Sequence, residues 1–466
     1  LSTDAEANPP IPETSRIWKI AIGLGVVILT TFACLAQSHL HPRQQAAIGV
    51  VCFLGIAFFF SNNIRQVNRR TVLSGFALQL TLAILILKIQ PVQLVFIELG
   101  AAAKQFLAFS WEGAKFVFGP LADNKVFALV VFPTVVFVSS FFSVLYFLGI
   151  LQQVVRVFAW AMRHVMGTSG AETLSVTANV FLGQTEAPLI VRPFIPRMTR
   201  SELLALMIGG MAHISGALMA VYIEFGVDPV AIFATSVMAA PASLYIGKIL
   251  IPETQKPETL GDIPKIPPSH DPENPQEPGP ANVIDAAARG ASEGMRLAIN
   301  IAAMLFAFLA FLALINFLLS NGYGRVADYF GWQHRNLNLQ IIFSELFAPV
   351  AVLMGIQGPD VPIVGELLGT KLVANEFVAF IDLTKKYHYQ MPGGLSHHAY
   401  ILAAFALTGF ANFASIGIQL GGIGAMAEKR RADLARLGLR ALLGGFLATL
   451  INASIAGILG SDVWIH

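Results

Sequence analysis

The run Asn179-Val180-Phe181-Leu182-Gly183-Gln184-Thr185-Glu186 places four polar side chains inside an otherwise apolar stretch, residues 170–200, that prolines interrupt. Further on, Gly210-Met211-Ala212-His213-Ile214-Ser215 breaks the next apolar span with glycine and polar residues. The same order returns in the second half. Val373-Ala374-Asn375-Glu376 sits in the interrupted stretch 365–382, and Gly409-Phe410-Ala411-Asn412-Phe413-Ala414-Ser415 sits in the span 398–427. Each copy reads as a span, a hairpin with a buried glutamate, a broken span and a last span. Three spans from the first hairpin to the second put them on opposite faces of a membrane, so the repeat is inverted. Inverted repeats with broken helices are how secondary transporters build a site at the bilayer midplane.

Hairpin arms such as 172–182 and 186–197 are about 17 Å long at 1.5 Å per residue, so each crosses half a bilayer and the tip at 183–185 lies near its middle. Pro188 and Pro193 fit a helix that restarts after the tip, since proline is tolerated early in a helix and not inside it. A carboxylate at that depth costs about 2.5 kcal/mol or more, so Glu186 and Glu376 read as functional groups. The plainer alternative is a glutamate at the interface or at a helix cap.

The whole chain agrees with a membrane location. Of its 466 residues 55% are hydrophobic and 12% charged, against roughly 25% charged in soluble domains. Nine apolar spans carry no formal charge: 21–38, 45–60, 71–87, 127–155, 203–223, 229–247, 297–324, 398–427 and 441–461. Stretches 170–200, 339–358 and 365–382 are apolar but interrupted, as re-entrant or interfacial segments are. The expected fold is an all-α polytopic membrane protein with about nine transmembrane helices and two re-entrant helical hairpins in an inverted repeat.

The expected organisation is a cytoplasmic tail (1–19), scaffold spans with an external interfacial segment (20–126), a first repeat (127–251), a Pro-rich acidic linker (252–285) and a second repeat (294–461). The first repeat holds the hairpin 170–200, the broken span 201–223 and the span 229–251. The second holds the interfacial segment 339–358, the hairpin 365–382, the broken span 398–427 and the span 441–461. Arg65, Arg69, Arg70, Arg156, Arg163, Arg197, Arg200, Lys429, Arg430, Arg431, Arg436 and Arg440 cluster at span ends on one side. By the positive-inside rule that side is cytoplasmic, with the amino terminus inside and the carboxyl terminus outside a cytoplasmic membrane. The first apolar stretch has no small-residue cleavage site and reads as retained rather than as a signal peptide, and a start at Leu1 suggests trimming or an unusual start codon.

Thirty basic residues against 28 acidic ones give no broad basic field, which argues against nucleic acid as a partner. Cys34 and Cys52 lie in apolar runs and read as buried small hydrophobes. Two carboxylates, the amides of Gln184 and Asn412 and the hydroxyls of Thr185 and Ser415 suit a neutral polyhydroxylated ligand. A charged substrate would call for Arg or Lys in the core, and none of the nine spans contains one. For Gln184, Asn412 and Ser415 hydrogen bonding between helices is the plainer role. Paired carboxylates are also glycosidase equipment, so a membrane hydrolase built on Glu186 and Glu376 stays open, as does a transporter of another polyhydroxylated solute. No HExxH, nucleophile elbow, Cys/His ligand cluster or phosphate-cradling loop is present. His164, His397 and His398 sit at span ends, where solvated roles are expected. A channel fits poorly with broken inverted repeats.

Several runs resemble the concentrative nucleoside transporter family: Gly183-Gln184-Thr185-Glu186-Ala187-Pro188-Leu189, Val373-Ala374-Asn375-Glu376-Phe377-Val378-Ala379, and Gly409-Phe410-Ala411-Asn412-Phe413-Ala414-Ser415. Ser143-Val144-Leu145-Tyr146-Phe147-Leu148-Gly149, Asn282-Val283-Ile284-Asp285-Ala286-Ala287 and Lys429-Arg430-Arg431 add to the likeness, which runs from about Gln45 to the end. Relative to shorter bacterial members, the span 21–38 is extra. The resemblance implies a cation-coupled nucleoside symporter of the elevator type, a homotrimer in lipid with no cofactor, in which both hairpins belong to a mobile domain. It implies that Gln184 and Thr185 meet the nucleobase beside Leu218. Glu186, Glu376, Asn412 and Ser415 would hold the ribose hydroxyls, and Phe410 would pack on the ligand. Gly183, small at the tip, resembles members that admit purine and pyrimidine nucleosides. The coupling cation would lie between Asn179, the Leu182 carbonyl and the broken span near His213 and Ile214. His213 departs from the family, where Ser or Thr is usual. A hydroxyl there suits sodium, whereas a protonated imidazole would suit proton coupling. Alternatively the ring turns to a neighbouring carbonyl and leaves Asn179, main-chain carbonyls and water to hold sodium.

Overall fold

In the computed structural model, which describes residues 14–124, 127–261, 279–330 and 337–460, every regular element is helical. The tail 1–13, most of the acidic linker (262–278) and residues 461–466 lie outside the described residues. The amino-terminal part runs α1 (Arg16–Leu35), α2 (Pro42–Phe59), α3 (Arg69–Lys88), α4 (Gln90–Phe118), α5 (Phe127–Phe147) and α6 (Ile150–Met166). The first copy of the repeat continues with α7 (Gly170–Ala178), two 3-10 turns (Ala187–Val191 and Ile195–Arg197), α8 (Arg200–Ala212), α9 (Gly216–Glu224) and α10 (Pro229–Leu250). After α11 (Val283–Phe330), the second copy comprises α12 (Leu339–Leu353), α13 (Asp360–Val373), α14 (Glu376–Lys385), α15 (His397–Leu407), α16 (Phe413–Met426) and α17 (Arg431–Leu459).

Local chemistry explains the starts. Asp228 accepts from the Val230 and Ala231 amides at 2.7 and 3.1 Å, and Pro229 takes the first position of α10, where its missing N–H costs nothing. Asn68, Asn375 and Asn412 cap α3, α14 and α16 in the same way.

Among the described residues nine helical segments are long and apolar enough to cross a membrane, the number expected, though the membership differs. The stretch 127–155 is not one span: Gly149, with φ of +76°, turns the chain between α5 and α6. On α6 Leu151, Val155, Ala159, Met162 and Met166 line one buried face while Val157 and Trp160 stay exposed, as in a helix lying along an interface. Most of the segment read as external and interfacial forms α4, and Gln90–Asp123 qualifies as a candidate crossing. The span 398–427 divides into α15 and α16 around its break. The second arm of the first hairpin is not the restarted helix expected after the tip, because Pro188, Pro193 and Pro196 in close succession remove the donors an α-helix needs, leaving 3-10 turns.

The interior lies among α8, α10 and α17, which are buried almost all round. Small residues let the backbones close: Gly444 and Gly445 of α17 face Ile208 and Met211 of α8, and Gly365 and Gly369 of α13 face Ser344 and Phe343 of α12. A buried polar chain is satisfied throughout. Tyr245 donates to Gln79 (2.7 Å), Gln79 to Asn452 (2.6 Å), and Asn452 to the Thr235 carbonyl (3.1 Å), joining α10, α3 and α17. Outside this core α5 and α11 pack along each other, with Gly290 and Gly294 against Ser140 and Val136. The opposite side of α11 exposes Phe306, Phe311, Phe317 and Leu318.

Candidate functional site

Two crossings are broken at the same level. The first stops at His213 and resumes at Gly216, and the second stops at Leu407 and resumes at Phe413. The breaks touch: the Phe410 amide donates to the His213 carbonyl at 3.1 Å. The tip of the first hairpin meets them there, since the Gly216 amide donates to the Phe181 carbonyl (2.9 Å) and Gln184 Nε2 to Ser415 Oγ (3.3 Å). Close approach requires glycine on the facing helices. A Cβ at Gly422 would overlap the Thr185 side chain, and one at Gly210 would press on Gln419 and Gln184.

The tips and breaks surround a cavity of about 140 Å³. All nine residues expected at the substrate site border it: Gly183, Gln184, Thr185, Glu186, Leu218, Glu376, Phe410, Asn412 and Ser415. Neither Lys nor Arg does. Glu376 opens α14, where the helix dipole favours its charge, and accepts from Asn412 Nδ2 (2.9 Å) and Tyr222 Oη (3.2 Å). Asn412 is held in turn, its Oδ1 accepting from the Ser415 amide at 2.9 Å. Contrary to the expectation of two buried glutamates, only Glu376 is buried. Glu186 is exposed and folds back to accept from the Gly183 amide at 2.9 Å, because the irregular second arm turns it to the mouth of the cavity.

Sequence reading missed three contributions. Leu297, Ile301 and Met304 of α11 form an apolar wall; their spacing of four and three residues on the longest helix carries that signal. Tyr222 stacks on Phe380 at 4.3 Å and so aims its hydroxyl at Glu376. Gln419 spans from Gln184 Oε1 (3.3 Å) to the Met207 carbonyl (3.0 Å).

None of the four residues expected around a cation, Asn179, Leu182, His213 and Ile214, lines the cavity. Asn179 donates to the Ser175 carbonyl (3.1 Å), which leaves its Oδ1 buried without a partner. His213 caps α8 and donates from Nδ1 to the Gly209 carbonyl (2.7 Å), so the Nε2 lone pair is also buried and unpartnered. The ring thus makes the turn to a neighbouring carbonyl anticipated as the alternative to protonation. Ser175 Oγ is a third orphan. These unpartnered atoms lie at the C-terminal ends of α7 and α8, where the helix dipole is negative. Among the described residues no group of three His, Cys, Asp or Glu exists for a transition metal.

Comparison with known proteins places these features in one family. The description "Na+ dependent nucleoside transporter C-terminus" matches residues 231–457, its N-terminus counterpart matches 48–121, and a nucleoside recognition ("Gate") description matches 128–228. An uncharacterized transporter of Haemophilus influenzae is 43% identical over 423 residues, covering 89% of this chain and 97% of the relative. Sodium/nucleoside cotransporter 1 of Homo sapiens is 40% identical over 460 residues, 94% of this chain and 67% of the relative. The structure of CNTnw in an inward-facing substrate-bound state superposes with a TM-score of 0.81 at 38% identity, covering 89% of this chain and 97% of that one. A variant of CNTnw in an outward-facing state gives 0.82 at 38% identity over 90% and 97%.

One further residue bears on the site. Lys371 of α13 is fully buried and donates to the Ala406 carbonyl (2.7 Å) and Thr449 Oγ1 (3.1 Å), a basic group in the core that a scan of uninterrupted spans passed over. It satisfies the C-terminal end of the half-helix α15 just before the break. Lys371→Met leaves that carbonyl without a partner, at about 1–3 kcal/mol. The expected outcome is a clear fall in apparent Tm of the detergent-purified variant by intrinsic fluorescence; an unchanged Tm would mean the contact is dispensable.

Proposed function

The chain belongs to the Na+ dependent, concentrative nucleoside transporter family, and on that premise we propose that it imports both purine and pyrimidine nucleosides with sodium as the coupling ion. It is a multi-pass membrane protein of nucleoside cotransport rather than an enzyme, so the hydrolase reading of the Glu186 and Glu376 pair is not pursued. The observation that carries the substrate reading is the lining of the cavity: two carboxylates, three amides and three hydroxyls beside Phe410 and Leu218, with no basic group. Carboxylates accept from paired ribose hydroxyls, amides serve a base edge that both donates and accepts, and the apolar groups cover its face.

At about 140 Å³ the cavity is below the roughly 300–1,000 Å³ of ligand pockets, so seating a nucleoside requires its walls to part. The apolar wall of α11 is the side that can slip, because no hydrogen bond ties Leu297, Ile301 or Met304 to the hairpins. In the elevator reading both hairpins and the broken crossings move as a unit past α11 and carry the site between faces. The exposed phenylalanines of α11 support its role at the centre of a homotrimer. Sodium is the ion named for the family, and the orphaned Asn179 and neutral His213 beside α8 support it over a proton. Arginines at one set of helix ends support an orientation with the amino terminus in the cytoplasm.

Three outcomes test this reading. In proteoliposomes, Glu186→Gln and Glu376→Gln each lower uridine uptake by roughly 10- to 150-fold per charged hydrogen bond lost, with insertion intact; uptake near the parent level would make the carboxylates structural.

Uracil, lacking ribose, competes poorly with uridine because it leaves buried polar groups unpaired, whereas adenosine competes well. Strong inhibition by uracil, or none by adenosine, refutes the corresponding half of the claim.

Uridine uptake follows an imposed sodium gradient at fixed pH and is absent with a pH gradient in sodium-free buffer, and His213→Ser retains the sodium dependence. Uptake driven by the pH gradient alone would overturn sodium coupling.

A further inference from the structure

A second cavity, of about 340 Å³, lies at the opposite end of α8 from the broken crossing. The α8 helix is 13 residues long, so roughly 20 Å separates its two ends, and this cavity is distinct from the substrate and cation sites. Its walls come from the first turn of α8, the segment after α10, the α2–α3 loop at Asn62 and the first half of α17.

Three arginines, Arg200, Arg436 and Arg440, face it together with two carboxylates, Glu253 and Asp433. Both carboxylates are engaged already. Glu253 Oε2 accepts from Lys248 Nζ (3.2 Å) and Thr199 Oγ1 (2.8 Å), and Asp433 pairs with Arg430 (3.0 Å) and Arg200 (3.3 Å). Arg436 and Arg440 have no hydrogen bond or ion pair among the described residues. They stand four residues apart on one face of α17, where like charges repel. Arg440 immediately precedes the apolar run 441–459, which puts the pair at the boundary between water and hydrocarbon. Two unpaired guanidiniums lining a cavity of ligand size, with the positive end of α8 at its wall, make a receptacle for an anion with several acceptor oxygens.

We propose that this cavity binds a phosphate group, gripped by Arg436 and Arg440 with Arg200 at the rim. The planar fork of arginine matches the oxygens of a phosphate ester. The same chemistry is offered by the headgroup of an anionic phospholipid, which basic pockets between membrane helices hold at this depth, and by a water-soluble phosphate compound.

Binding is measured on the full chain purified in neutral detergent, at matched ionic strength because exposed charges are screened by salt. One arm titrates inorganic phosphate against chloride by calorimetry. The other compares retention of phosphatidylglycerol and phosphatidylcholine by native mass spectrometry. Saturable binding of phosphate, or selective retention of phosphatidylglycerol, is expected in the parent and identifies the source. The double variant Arg436→Gln with Arg440→Gln is expected to weaken that binding tenfold or more, while Arg65→Gln, which removes an arginine that does not line the cavity, leaves it unchanged. If the parent binds neither ligand, or if both variants weaken binding equally, the proposal is overturned; the parent titration alone decides should the double variant fail to fold.

Discussion

A backbone hydrogen bond between two interrupted helices, from the Phe410 amide to the His213 carbonyl, is the tie on which the rest of the site depends. Inside a bilayer no water is present to satisfy freed N–H and C=O groups, so a helix can break only where protein takes up what the break exposes. Here each break takes up part of the other. Other freed groups are met by a hairpin tip (Phe181), by a cap side chain (Asn412) and by the Lys371 amine. Polar groups gathered for this reason are also those able to meet a polar ligand, which is why the site and the irregular backbone coincide.

The two halves are related by sequence order but not by environment. Glu376 is fixed by Tyr222 and Asn412 at a helix start, and Glu186 is tucked against its own hairpin and open at the mouth. At the C-terminal ends of the paired half-helices the contrast recurs. Beside α15 the Lys371 amine meets the last carbonyls, whereas beside α8 Asn179 Oδ1 and His213 Nε2 are left without partners.

Several other charges are paired with one another. Glu172, Lys248 and Glu253 form a buried ionic chain at the start of the first hairpin, with Lys248 Nζ at 2.7 Å from Glu172 and 3.2 Å from Glu253. Breaking one partner of such a chain leaves an uncompensated charge, so it holds hairpin, α10 and the following segment in one register. The arginines just beyond it face outward, and Arg436 and Arg440 are left to meet an anion from outside the chain.

By itself the sequence determined the helical class, the membrane location, the repeated order and nine of the residues that line the cavity, because hydropathy, glycine and proline breaks, and an ionisable residue in an apolar run are local signals. That Gly149 ends α5 rather than sitting within a longer span depends on the amphipathic face of α6 finding its partners. The irregular second arm of the first hairpin, and with it the outward turn of Glu186, follows from Pro188, Pro193 and Pro196 removing the donors a continuous helix needs. Tyr222, Gln419 and Lys371 reach the site across 35 to 235 residues of chain, and single-chain periodicity carries no record of such distances. Only tertiary packing decided them, since a side chain's role in an apolar interior is set by which unsatisfied group it meets.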